Sequence, residues 1–170
     1  MPVISQSKPA PSRSGRLIVV LAVVALVGWG SWLAWTLLRQ NDAQAYSQVV
    51  RDAEYLRGVH NYSGAVAAWQ MYRDGHWPVL HLYESWVQQG ALYETAGNCR
   101  AALVRYRQAE HYALAGPHLE YEPIARCSET LGDRATAVAY YQKTLDALPR
   151  NGTYGLESPF YINKIKTLKP

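Results

Sequence analysis

Residues 86–109 read WVQQGALYETAGNCRAALVRYRQA, and the order of small and aromatic side chains in this stretch decides the fold. Trp86, Gly90 and Tyr93 come first, then Gly97, then Ala102, Tyr106 and Ala109. Two antiparallel helices approach closely only where their crossing carries Gly or Ala, and aromatic rings fill the space beside it. The stretch therefore predicts a helical hairpin. Its alanine-x-x-x-aromatic element occurs as Ala65/Trp69, Ala102/Tyr106 and Ala137/Tyr141, spaced 37 and 35 residues apart. Units of that length cannot bury an apolar face alone, so a stack of about three is expected.

The middle copy resembles the tetratricopeptide repeat, whose signature is W-x-x-L-G-x-x-Y, then A-x-x-x-F, then P. Gln89 stands where leucine is usual and Leu114 where proline is. The third copy, about His118 to Arg150, keeps Ile124, Gly132-Asp133, Ala137, Tyr141 and Pro149, with Ala125 for glycine and Ser128 for tyrosine. The first, about Tyr46 to Val79, keeps Ala53, Ala65 and Trp69 but carries bulky Tyr72 at a small position. The resemblance spans roughly residues 46–150. It implies an all-α, short helical solenoid of about three repeats, with helices expected near 44–58, 62–73, 80–95, 99–113, 120–130 and 134–147. Asp74-Gly75-His76-Trp77-Pro78 and Ala115-Gly116-Pro117 supply the turns between units. A helix near 159–167 reads as a cap, with Phe160, Ile162, Ile165 and Leu168 spaced for one side and Lys164, Lys166 and Lys169 for the other. Thirteen Tyr against one Phe suits thin helical layers, where a ring is buried while its hydroxyl reaches an edge.

Proteins of that family bind partner segments along a concave face lined by the first helix of each repeat. Carried onto this chain, the face presents Arg51, Glu54, Arg57, Gln88, Glu94, Arg126 and Glu129, a mixture favouring no single-sign ligand. The positions of the family's peptide-carboxylate clamp read Val50, Glu54, Gln88, Leu119 and Pro123, so that clamp is absent. In the repeat register Cys99 opens the second helix of repeat two and Cys127 lies late in the first helix of repeat three. Those helices are neighbours, which leaves two readings: a disulfide, or two buried thiols acting as small apolar residues.

Ahead of the repeats, Leu17 to Leu38 is uncharged for 22 residues, about 33 Å of helix at roughly 1.5 Å per residue. A single membrane-spanning helix is expected over 16–39, after a disordered tail over 1–15 rich in Pro and Ser. Ala43-Gln44-Ala45 has the form of a signal-peptidase site, but the run exceeds a usual signal-peptide core and Arg39 and Asp42 intervene, which favours a retained anchor. Lys8, Arg13 and Arg16 precede the span. The amino terminus is then cytoplasmic, with residues 40–151 (the repeats) and 152–170 (loop and cap) outside the inner membrane.

Charge excludes one class of partner. Of 17 Lys and Arg, four lie in residues 1–39 with no acid, and the remaining basic residues equal the 13 acids, so no field draws a nucleic acid to the repeats. His60, His76, His81, His111 and His118 lack metal-ligand spacing, and neither a phosphate loop nor a nucleophile elbow occurs, so no enzyme, metal or soluble cofactor is expected. Asn61-Tyr62-Ser63 and Asn151-Gly152-Thr153 fit the glycosylation pattern and are expected unmodified.

Within the span, Gly30 and Ala34 stand four apart, the small-x-x-x-small arrangement that admits a neighbouring helix. Trp32 and Trp35 fit an aromatic belt, but Trp29 lies midway along the run, where its indole N–H needs a partner. Trp29, Gly30, Trp32 and Ala34 are therefore expected to meet an integral membrane subunit, membrane lipid or a lipid-like ligand. Three functions remain open: a structural subunit of a membrane complex, a transient assembly factor, and a peptide- or glycan-binding module.

Overall fold

The computed structural model describes residues 13–75, 81–113, 120–148 and 158–169, the side chains of 13–20 and 22 excepted. Seven helices follow: α1 (Arg13–Gly58), α2 (Tyr62–Gly75), α3 (Leu82–Thr95), α4 (Cys99–Tyr112), α5 (Tyr121–Thr130), α6 (Arg134–Ala147) and α7 (Ser158–Leu168). Among the described residues there is no strand, and the fold is all-α. The bounds of α2 to α7 fall within two residues of those expected. Residues 1–12, most of both inter-unit turns, Leu114, Leu119, Pro149 and Asn151-Gly152-Thr153 lie outside the described residues.

The chain divides into two units, Met1–Asn41 and Asp42–Pro170. A separate helix starting near residue 44 is not observed: α1 passes through both units, because Gln40-Asn41-Asp42-Ala43 contains neither Gly nor Pro to end it. Over the described residues no helix is long and apolar enough to cross a membrane. The uncharged run begins at Leu17, ahead of the first described side chain, Leu21. In this first unit Leu26, Trp29, Trp32 and Trp35 are all exposed. The hydroxyls of Ser31 and Thr36 donate to carbonyls of their own helix, at 2.8 Å each.

In the second unit the repeat extends to the turns. His60, Gly97 and Gly132 have φ of 60°, 77° and 80°. Each is followed by a residue whose N–H reaches back five positions: Asn61 to Leu56, Asn98 to Tyr93 and Asp133 to Ser128. This closure satisfies the orphan carbonyls of α1, α3 and α5. The same following residue then starts the next helix. Asn61 Oδ1 accepts from the Gly64 N–H at 3.0 Å, Asn98 Oδ1 from Ala101 at 3.0 Å, and Asp133 Oδ1 from Thr136 at 3.1 Å.

Side-chain layers join these hairpins. Val49 and Ala53 of α1 pack with Ala65, Val66, Ala68, Trp69 and Tyr72 of α2 and Leu92 of α3. Ala102 and Tyr106 of α4 join Ile124 and Cys127 of α5, and Ala125, Ala137 and Tyr141 join Tyr161 and Ile165 of α7. At Gly90 helix α3 approaches α4 closely, as the alternation of small and aromatic residues predicts. A Cβ built there would meet Tyr106 Cε1, and would lie 2.6 Å from its Cδ1 and 2.8 Å from its Cζ.

Two substitutions of the repeat pattern have structural consequences. Gln89, where the resemblance implies leucine, is fully buried and its Nε2 donates to the Val66 carbonyl of α2 at 2.8 Å. Bulky Tyr72 is accommodated because its hydroxyl donates to the buried carboxylate of Asp42 at 2.7 Å. The cap faces differently from the sequence expectation. Tyr161, Ile165 and the half-buried Leu168 point inward, whereas Phe160 is 49% exposed and Ile162 38% exposed. The hydroxyl of Tyr161 donates to Glu122 at 3.0 Å and its ring lies 6.1 Å from that of Tyr141, contacts unreachable from the Phe160 side of α7. Lys164 is likewise not confined to a solvated side but is half-buried against α5.

Candidate functional site

Successive turns of α1 place Tyr46, Val50, Ala53, Glu54 and Arg57 along one face, and α3 opposes them with Gln88, Ala91, Leu92 and Thr95. Between them lies a pocket of about 140 Å³, with Trp69 of α2 contributing to its lining. The Trp69 and Tyr46 rings are 5.8 Å apart, so the aromatic part of the wall is fixed by packing. Glu54, Arg57 and Gln88 are exposed at its edge, and among the described residues no hydrogen bond or ion pair engages their side chains. The pocket thus offers an apolar floor, one cation, one anion and one amide. That equipment suits a side chain with flanking polar groups and offers no nucleophile–base pair.

The other residues expected on a concave face have a different fate. Glu94 of α3 accepts from Tyr106 of α4 at 2.8 Å and from Arg126 of α5 at 3.0 Å. One repeat later, Glu129 of α5 accepts from Tyr141 of α6 at 2.8 Å and from Lys164 of α7 at 2.7 Å. Glu94 and Glu129 are 35 residues apart, as are Tyr106 and Tyr141, so the same tie recurs in successive layers. The hydrogen bond from Lys164 holds the Glu129 carboxyl below its ordinary range. Burial and then the bond to Glu129 push the Tyr141 hydroxyl well above its own. A third cluster, Glu110 with Tyr140 and Lys143, joins α4 to α6.

Of the seven residues, then, Glu54, Arg57 and Gln88 line one pocket, while Glu94, Arg126 and Glu129 are engaged in ties between layers. Arg51 is exposed and is not part of the pocket lining. Arg126, Glu129 and Lys164 do border a second, shallower hollow with Phe160, Thr130 and Tyr141. Sequence reading did not single out Trp69 and Tyr46 as pocket walls. The signal was present, since Trp69 replaces the tyrosine of the later copies and carries no hydroxyl for a tie to the preceding helix.

Cys99 and Cys127 are buried free thiols in one apolar cluster. Burial and then the neighbouring Cys99 push the Cys127 thiol far above its ordinary range, so neither pairing nor packing here makes it a nucleophile. In the first unit, Trp29, Gly30, Trp32 and Ala34 are exposed, and a Cβ added at Gly28 or Gly30 would meet nothing within 4 Å. A scan against protein-family models matches none of them to the chain, and a search of curated proteins finds no match.

Proposed function

We propose that the chain is a non-catalytic scaffold of the tetratricopeptide type, anchored in a membrane by its first helix and holding partner proteins with its repeats. Under this reading residues 17–38 sit in the inner membrane and the unit from Asp42 onward lies outside the cytoplasm. The observation that carries it is the pocket between α1 and α3. Among the described residues Glu54, Arg57 and Gln88 at its edge have no partner, while carboxylates of later layers are bound to Tyr, Arg or Lys. Unengaged polar groups around an apolar floor are what partner recognition needs, because they supply orientation without first breaking an internal bond. The exposed run containing Trp29, Trp32 and Trp35 supports the second half of the reading. A span that lays indoles and glycine side by side is suited to a neighbouring transmembrane subunit, lipid or a lipid-like ligand.

The test is purification of the tagged full chain in mild detergent beside two variants, Arg57→Glu and a chain with Leu17–Leu38 replaced by polyleucine. A membrane protein recovered in constant proportion with the wild-type chain, and lost with either variant, supports a stable subunit. Equal recovery with all three chains would exclude both interfaces, and a soluble, carbonate-extractable wild-type chain would exclude the anchor.

A further inference from the structure

Trp86 of α3 carries two cations on its ring. The guanidinium carbon of Arg73, near the end of α2, lies 3.7 Å from the ring centroid, and that of Arg105 in α4 lies 5.4 Å away. Arg105 is also 5.9 Å from the ring of Tyr93. Three successive helices therefore bring two like charges to one indole. Each gains from the ring quadrupole separately, but the pair repel one another.

At three contacts between layers of this unit charges are matched, with Glu94 facing Arg126, Glu110 facing Lys143 and Glu129 facing Lys164. Here they are not. Among the described residues neither Arg73 nor Arg105 has a carboxylate within ion-pair distance or a side-chain hydrogen-bond acceptor. Arg73 Nη1 and Trp86 Nε1 are buried donors without acceptors. Burial, and after it the charge of Arg105, push the Arg73 guanidinium below its ordinary range, and the adjacent Asp74 only partly opposes them. Two cations and two unmet donors held together by packing form an arrangement that lacks an anion.

We propose that Arg73, Trp86 and Arg105 form a binding site for a phosphate-type oxyanion, either a free phosphate group or one borne on a lipid headgroup. Both arginines are half-buried rather than fully enclosed. Stacking on Trp86 fixes the plane of the Arg73 fork, whose paired N–H groups match phosphate oxygens two at a time. Two positive charges suit a phosphate oxyanion, whose negative charge offsets their repulsion on binding whether it is a free phosphate or a headgroup diester. The site shares no residue with the pocket between α1 and α3, so it stands or falls independently of the scaffold reading.

The experiment follows thermal unfolding of the full chain in neutral detergent micelles, at ionic strength held constant with chloride. In one arm inorganic phosphate is titrated; in the other, phosphatidylglycerol replaces neutral lipid in the micelle. The expected result is a saturable rise in the unfolding midpoint in at least one arm. Arg105→Gln should need about tenfold more ligand for the same rise, the loss of one charge-assisted contact. Without ligand that variant should unfold at or above the wild-type midpoint, since it relieves repulsion, so loss of folding does not confuse the result. Arg73→Gln provides a second reading where it folds. A rise in the phosphate arm identifies a soluble ligand class, and a rise in the lipid arm alone identifies a headgroup. No saturable rise in either arm, or an equal rise in wild type and Arg105→Gln, overturns the proposal.

Discussion

Gly90→Ala should be among the most damaging single-methyl additions in the molecule. The added Cβ would lie 2.6 Å from Tyr106 Cδ1, where ordinary contact is 3.4–4 Å, so the ring must move by roughly an ångström. It has nowhere to go: Tyr106 is 1% exposed, and its hydroxyl is bonded to Glu94, which is in turn held by Arg126. Overpacking of this kind costs about 1–3 kcal/mol. Stretching a hydrogen bond to a charged acceptor adds about 1–2 kcal/mol. Removing glycine from a helix interior returns about 1 kcal/mol. The net is about 1–4 kcal/mol of destabilisation. At about 3–5 °C per kcal/mol for a unit of this size, the midpoint should fall by roughly 3–20 °C. The assay is thermal unfolding by circular dichroism, with Gly58→Ala beside it, a helical glycine with nothing within 4 Å of the new Cβ. Gly58→Ala should be neutral or slightly stabilising. Adding Tyr106→Leu to Gly90→Ala should cost less than the sum of the two single changes, because the clash and the ring disappear together. A Gly90→Ala midpoint within 2 °C of wild type, or a fully additive double variant, would refute the account of the crossing.

Four further outcomes follow from particular contacts. The Glu129 carboxyl has a folded-state pKa below its unfolded one, so its stabilisation is present above the unfolded value near pH 4.3 and fades as pH falls through the folded value. Glu129→Gln should therefore lose part of the acid-side slope in a pH series of midpoints while unfolding earlier at neutral pH. Ser128 is fully buried with an unpartnered Oγ, and Ser128→Ala should be neutral or stabilising by up to about 1 kcal/mol in denaturant titration. His60 occupies the left-handed position that glycine holds in the other two turns, so His60→Gly should raise stability by about 0.5–1 kcal/mol, less whatever its 3.1 Å contact with Tyr62 contributes. Oxidation of Cys99 and Cys127 would close a loop worth about 3–4 kcal/mol, read as a mass loss of about two hydrogens and a midpoint that falls on reduction; full labelling of both thiols in chain purified without reductant would exclude the bond.

How legible was the candidate site? Glu54, Arg57 and Gln88, expected on one face from repeat register, line one pocket, because register is a matter of helical periodicity and that is local. The same register also put Glu94, Arg126 and Glu129 on a shared surface, yet it did not reveal that Tyr106, Tyr141 and Lys164 engage them. Those partners lie 12 to 35 residues away, and whether they meet depends on how the layers stack. The recurrence of Glu94/Tyr106 as Glu129/Tyr141 was readable, but as a spacing it does not distinguish a hydrogen bond from coincidence.

By itself the sequence determined that the repeat region is helical, where α2 to α7 begin and end to within two residues, and that the region carries no net charge. The helix bounds depend on residues within about one turn of one another, on helix propensity, caps and turn chemistry, and the charge is a sum that needs no fold. Tertiary structure alone decided which face of α7 closes the stack, which carboxylates are spent on ties between layers, and that Arg73 and Arg105 converge on Trp86. Those outcomes depend on distances between residues 10 to 40 positions apart, which helix packing sets and no local periodicity encodes.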